Sequence, residues 1–176
     1  TLEFARIAEM DYAAATDAMT VAINAFNLKA KESIKITDIY SNLAAKAAVD
    51  QSELANAMSK VASMAASVGM SLETTSTFLT QIIETTREAP ETAGTALKTV
   101  LARFGEVKKL IDTGKSTGTT DEGEEIDVNK IDTALKTVGV RLTDTNGQMR
   151  ALDKVIIELA EKWNSLDSMT QRYLAT

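Results

Sequence analysis

The 176 residues carry a formal net charge of −6, with 19 basic against 25 acidic side chains, and they include neither cysteine nor histidine. A chain of this size buries roughly 68–70% of its unfolded surface, enough for a core without covalent staples. The missing residue types remove disulfides, thiol nucleophiles, thiolate metal sites and the commonest general base, and the acidic balance repels a nucleic acid backbone, since the order of the basic residues suggests no segregated basic face.

No run approaches the roughly 20 apolar residues of a bilayer crossing, and the best candidates are interrupted by Lys46, Asp50 and Lys60. The chain opens on Thr1 with neither an initiator methionine nor a basic-then-apolar leader. It therefore reads as a piece of a longer protein.

From Leu2 to Leu28 the apolar positions Phe4, Ile7, Met10, Ala18, Val21, Ala22, Ala25 and Phe26 recur at helical spacing, as one long helix or two short ones. Ile34, Ile36 and Ile39 include an alternation, so a connector is expected there, with Asp38 capping a helix that carries Leu43, Ala44 and Ala47. Asp50-Gln51-Ser52-Glu53 has the form of a capping box. The helix it starts bears Leu54, Met58, Val61, Ala65 and Val68, and Gly69 supplies the left-handed residue that ends it.

Ser71 is expected to cap the next helix, with Leu72, Leu79, Ile82, Ile83 and Thr86 facing one side and Phe78 beside them. Pro90 suits a first helical turn, because its fixed φ matches the helix and its missing N–H has no partner there. The stripe that follows is Ala93, Leu97, Val100, Phe104, Val107 and Ile111, with Gly94 allowing a close helix approach and Gly105 marking a kink or an early end. Residues 113–127 hold one apolar side chain, Ile126, so a mobile acidic loop is expected, and removing Gly114 to Glu124 should cost little.

Asp127 is placed to cap a short helix with Ile131, Leu135 and Val138, closed by Gly139. Val140, Leu142 and Met149 around Asn146-Gly147 read as a hairpin. Leu152, Val155, Ile156, Leu159 and Trp163 form the last strong stripe, and Asp167 or Ser168 caps a final helix to Ala175. The fold class is mainly α: a multi-helix bundle of short amphipathic helices with one small β-hairpin. Its expected divisions are N-terminal helices over 1–49, a three-helix core over 50–112, a flexible acidic loop over 113–127, and helix, hairpin and C-terminal helices over 128–176 that join 1–112 in one domain.

Chemical motifs are few. Gly114-Lys115-Ser116 matches the tail of a phosphate-binding loop, but Lys109 stands where the leading glycine belongs and no strand precedes it. Asp121, Glu122, Glu124, Glu125 and Asp127 could attract a hard cation, yet EF-hand spacing is absent and a solvated acidic loop is the better account. Glu84, Glu88 and Glu91 invite an acid–base pairing, without aromatic platforms for a sugar, and read as a polar helix end. A Ser-His-Asp arrangement is impossible without histidine.

The seven methionines, Met10, Met19, Met58, Met64, Met70, Met149 and Met169, could line an adaptable groove but are better read as core filling, as is Trp163. Gly94 and Asn146-Gly147 are structural devices. No catalytic, cofactor-binding or metal-binding residue is assigned, and no enzyme activity is expected.

Several segments occur together in a recognisable order: Val68-Gly69-Met70-Ser71-Leu72-Glu73, Ala93-Gly94-Thr95-Ala96-Leu97, Leu135 through Val140, Asp144 to Arg150, and Leu152 to Leu159. From Ser41 to Tyr173, apart from the acidic insertion, the chain resembles the core region of phage tail tape measure proteins. The resemblance implies a structural virion protein of a phage or prophage, acting in tail length determination, tail assembly and genome ejection. It implies a place in the tail lumen, or in the host cytoplasm during assembly.

The partners it implies are other copies of the protein and other tail proteins: tube, initiator or baseplate, and chaperones. Peptidoglycan hydrolase and membrane-active segments found in family members have no counterpart in these residues. The alternatives are a generic helical adaptor and, third, a cell-wall hydrolase. Because Gly69, Pro90, Gly139 and an Asn-Gly turn punctuate it, the segment is expected to fold back on itself while an extended ruler lies elsewhere in the parent chain.

Overall fold

The computed structural model describes residues 2–120 and 123–175. Among the described residues the chain forms nine α-helices, a 3-10 turn and a two-stranded antiparallel sheet. It divides into two compact units, Thr1–Ala102 and Arg103–Thr176.

The first unit starts with two short helices, α1 (Leu2–Ile7) and α2 (Tyr12–Ala25). Asp11 caps α2 by accepting from the Ala13 and Ala14 amides, so two of its orphan N–H groups are satisfied at once. Phe4, Ala15, Met19 and Ala22 face inward. A 3-10 turn, Ala30–Glu32, leads into α3 (Ser33–Ala44). The expected connector over the isoleucines is therefore corrected, and Asp38 lies inside the helix instead of capping it. Ile36 and Tyr40, one turn apart, are completely or almost completely buried, and that burial overrides the local alternation. The Tyr40 ring sits 6.0 Å from Phe4, tilted by 56°.

The fourth helix, α4 (Gln51–Ser67), begins on a complete capping box: Glu53 N donates to Asp50 Oδ1 at 2.8 Å and Asp50 N to Glu53 Oε2 at 2.9 Å. Leu54, Met58, Val61 and Ala65 are buried as their spacing predicts. At its end Gly69 takes φ 77°, Gly69 N donates to Ala66 O and Met70 N to Ala65 O. These are the two bonds of a Schellman ending, which requires a residue at ease with positive φ.

Ser71 then caps α5 (Leu72–Thr86). Its buried face is Leu72, Thr75, Ser76, Leu79, Thr80 and Ile83, whereas Thr86, expected there, is exposed. The three buried hydroxyls donate to the carbonyls four residues back, Ser71, Leu72 and Ser76, at 2.7, 2.8 and 2.8 Å. Each polar group is thus satisfied within its own helix, and burial does not leave it unpaired.

Pro90 opens α6 (Pro90–Asp112), which runs helical through Gly105. Its inner line in the first unit is Ala93, Gly94, Leu97 and Leu101; Val100, expected on the stripe, is 53% exposed. Steps of 3.6 residues bring Leu101, not Val100, back under Leu97.

The second unit contains a hairpin of β1 (Thr117–Thr119) and β2 (Glu125–Asp127), paired with Gly118 opposite Ile126. The strand pairing falls where a loop without regular structure is expected. Ile126 is the reason: it is 8% exposed and joins Val107, Val128 and Leu142 in a small core, flanked by Leu110, Ile111, Ile131, Leu135 and Met149. Gly118 leaves room for Leu110, whose Cδ2 lies 2.7 Å from where a Cβ would stand.

The hairpin expected around Asn146-Gly147 is reduced to one bridge, Thr143 with Met149. Asp144 Oδ1 accepts from the amides of Asn146 and Gln148, which anchors the turn through a side chain, and the backbone bonds Asp144 N–Gln148 O and Arg150 N–Leu142 O join the two arms. Asp127 caps α7 (Val128–Thr137), Gly139 follows it with φ 71°, and α8 (Leu152–Trp163) buries Leu152 and Val155. Asp167 caps α9 (Ser168–Ala175), accepting from the Met169 and Thr170 amides.

Candidate functional site

The residues with chemical potential are dispersed, and the closest-built feature of the first unit is a helix seam. Gly94 of α6 lies against α4 so tightly that an added Cβ would collide with the Ala57 carbonyl oxygen and come within 3.0 and 3.1 Å of Ala57 C and Cα. Ala57, Ala93 and Leu97 are buried around it. Such contact of backbone with backbone needs a residue without a side chain, as the Gly94 cluster predicts.

A second set of contacts ties α3 to α5. Near their starts Lys35 Nζ meets Glu73 Oε1 at 2.6 Å. Beyond the end of α3 the peptide groups of Ala48 meet Glu84 and Arg87 at the end of α5. The two helices therefore run in the same direction. The hydrogen bond and charge of Glu73 hold the Lys35 ammonium above its usual value. Partial burial opposes ionisation of Glu73, but the Lys35 hydrogen bond, backbone donation and the Lys35 charge outweigh it and set the carboxyl below its usual range. Lys35 and Glu73 also edge a shallow cavity of about 390 Å³ whose floor includes Phe26, Met70 and Leu72. Burial pushes the Tyr40 phenol well above its ordinary value, which suits a core residue and not a proton donor.

In the second unit, Lys162 Nζ donates to the carbonyls of Val138 and Gly139 at 3.1 and 2.8 Å, closing the end of α7. Arg150 reaches Arg141 O and Glu158 Oε2, and its hydrogen bond draws the Glu158 carboxyl below the usual range. The amide and hydroxyl of Thr170 do the same for Asp167.

Gly114 ends α6 with φ 69°, and Lys115 and Ser116 lead into a strand, not into a helix that could hold a phosphate. Among the acidic residues of 113–127, Glu124 pairs with Arg103 at 2.9 Å and Asp127 caps α7, while Asp121 and Glu122 lie outside the described residues. No group of three or more potential ligands is found among the described residues. Glu84 is engaged by the Ala48 amide, Glu88 follows α5 in the connector, and Glu91 lies in the first turn of α6.

Met19, Met58 and Met70 are buried, Met10, Met64 and Met149 are partly so, and Met169 is 81% exposed. Trp163 is half-buried on α8. The seams of Arg87 with Ala48 and of Lys162 with α7 have no sequence signature: both join residues more than twenty positions apart through backbone carbonyls, which every residue type has.

The model of the family described as phage-related minor tail protein matches residues 1–176. A curated relative, the tape measure protein of Pneumococcus phage Dp-1, is 28% identical over 158 residues, which is 90% of this chain and 12% of the relative. The chain thus spans about an eighth of that relative's length. No solved structure matches. No described helix is long and apolar enough to cross a membrane. With its helices closed on alanine and glycine seams and its family model matched from end to end, the chain belongs to the phage-related minor tail protein family.

Proposed function

We propose that this chain is a folded, non-catalytic module of a tape measure protein, contributing packing contacts to tail assembly while the extended ruler lies elsewhere in the parent. The observation that carries this reading is the punctuated helix pattern in a chain of this family. A ruler works by contour length, and 176 residues in one continuous helix would measure about 260 Å, whereas the longest helix among the described residues, α6 with its 23 residues, measures about 35 Å. The likeness to a phage tape measure protein supports the same reading. On this view the module resides in the tail lumen of the virion, meets other copies of itself and other tail proteins, and takes part in length determination and genome ejection only as a part of the parent.

An in-frame deletion of the segment in a phage that carries it tests the proposal. Tails that fail to assemble, or that assemble at unchanged length, are expected. Viable tails shortened by about 1.5 Å per deleted residue would assign the ruler function to this segment and defeat the proposal. Turnover of purified cell wall by the chain would defeat its non-catalytic part.

A further inference from the structure

Ala48 lies in the connector between α3 and α4, and its backbone is held twice by the end of α5. Its N–H donates to Glu84 Oε1 at 3.4 Å, and its carbonyl accepts from Arg87 Nη1 at 3.0 Å. Arg87 makes this reach from an unfavourable backbone state. It closes α5 in the left-handed region with φ 56°, where glycine is the usual occupant and a Cβ is strained. Glycine would relieve the strain but has no guanidinium to offer.

The connector has something to gain from being held. Val49 is 4% exposed, Asp50 opens α4 through its capping box, and Gln51 Nε2 donates to Ser41 Oγ at 3.1 Å. Arg87 and Ala48 are exposed residues, so water or another polar group can compete for these contacts without entering the core.

We propose that Arg87 and Glu84 form a releasable two-point latch on Ala48. Closed, it fixes where α4 begins. Released, it frees the strap of residues 45–49 and uncovers Val49 while the α2, α4 and α5 core stays packed. The left-handed arginine is then kept for its side chain, against its backbone preference.

Native-state hydrogen exchange on the 176-residue chain and its Arg87→Gly and Arg87→Ala variants tests the latch. Neither substitution removes the acceptor of the Ala48 or the Asp50 amide, which are Glu84 and Glu53. Both variants are expected to speed exchange at these two amides about fivefold, the loss of one modest hydrogen bond, while the Val61 amide inside α4 keeps its rate. Arg87→Gly, freed of strain, is expected to melt above Arg87→Ala. Unchanged exchange at Ala48 and Asp50 in both variants overturns the latch, as does equal acceleration at Val61, which would mean general loosening in place of a local release.

Discussion

Single residues decide the seams of this protein, and Gly94 shows how sharply. Placing even a methyl group there puts it on the Ala57 carbonyl, and because the obstacle is backbone, α6 must move away from α4. Gly94→Ala is therefore expected to cost about 1–3 kcal/mol despite the better helix propensity of alanine, as urea denaturation would measure. A neutral or stabilising result would mean that the helices are further apart than described.

The Lys35–Glu73 pair is a weaker tie, since both side chains are about half exposed, at 49% and 48%. A double-mutant cycle with Lys35→Met and Glu73→Gln is expected to give a coupling below about 1 kcal/mol. Its pH dependence has two sides. Glu73 has a lowered folded pKa, so its share is present above the ordinary carboxylate range and is lost as pH falls through that lowered value. Lys35 has a raised one, so its share holds below the ordinary lysine range and is lost as pH rises through the raised value.

At the scale of elements, most but not all helix beginnings are legible in the sequence: Asp38, expected to cap α3, lies inside it, and the Asp11 cap of α2 is not among the expected starts. Asp50 with Glu53, Ser71, Pro90, Asp127 and Asp167 all stand at or beside the helix starts they signal, because capping acts over three or four residues and needs no distant partner. Strands were not legible in the same way. The Asn-Gly signal marks a true turn, but the pairing stays short: Asp144 N donates to Gln148 O and Arg150 N to Leu142 O, while the Gln148 amide is taken by the Asp144 side chain. The real hairpin instead depends on Ile126 meeting Val107 and Leu142, positions separated by fifteen or more residues.

Deleting Gly114 to Glu124 consequently removes β1 and is expected to destabilise the second unit by about as much as a core truncation such as Leu97→Ala does the first, roughly 2–5 kcal/mol. Chemical denaturation of both variants checks this. A near-neutral deletion would return the segment to the status of a dispensable loop. Acid should act on α9 by a separate route. Asp167 has a lowered folded pKa, so its cap is intact above the ordinary carboxylate range and fails as pH falls through the lowered value. The amide signals of Met169 and Thr170, followed by NMR through an acid titration, are expected to shift together at that point.

For the whole molecule, the informative sequence feature is what it lacks. Without histidine, no side chain has an ordinary pKa between pH 5 and 8, and the resolved carboxylate shifts are all downward. The melting temperature is accordingly expected to stay level from pH 6 to 8. A slope of several degrees across that range would reveal a carboxyl group with a strongly raised pKa. The mainly α class and the helical order followed from periodicity, and the family resemblance from ordered short segments. The division into Thr1–Ala102 and Arg103–Thr176 did not, because α6 is continuous in pattern across it and carries no glycine-rich or proline-rich joint at residue 102.

The hydroxyls of Thr75, Ser76 and Thr80 turn back onto their own helix. Since each already bonds inside α5, what neighbouring helices touch at the two threonines is mostly hydrocarbon. A valine of nearly the same outline could stand at either place. Thr75→Val or Thr80→Val is therefore expected to keep the shape of that face and to lose one helix-internal hydrogen bond, about 1 kcal/mol, while the freed carbonyl still accepts from the helix N–H four residues on.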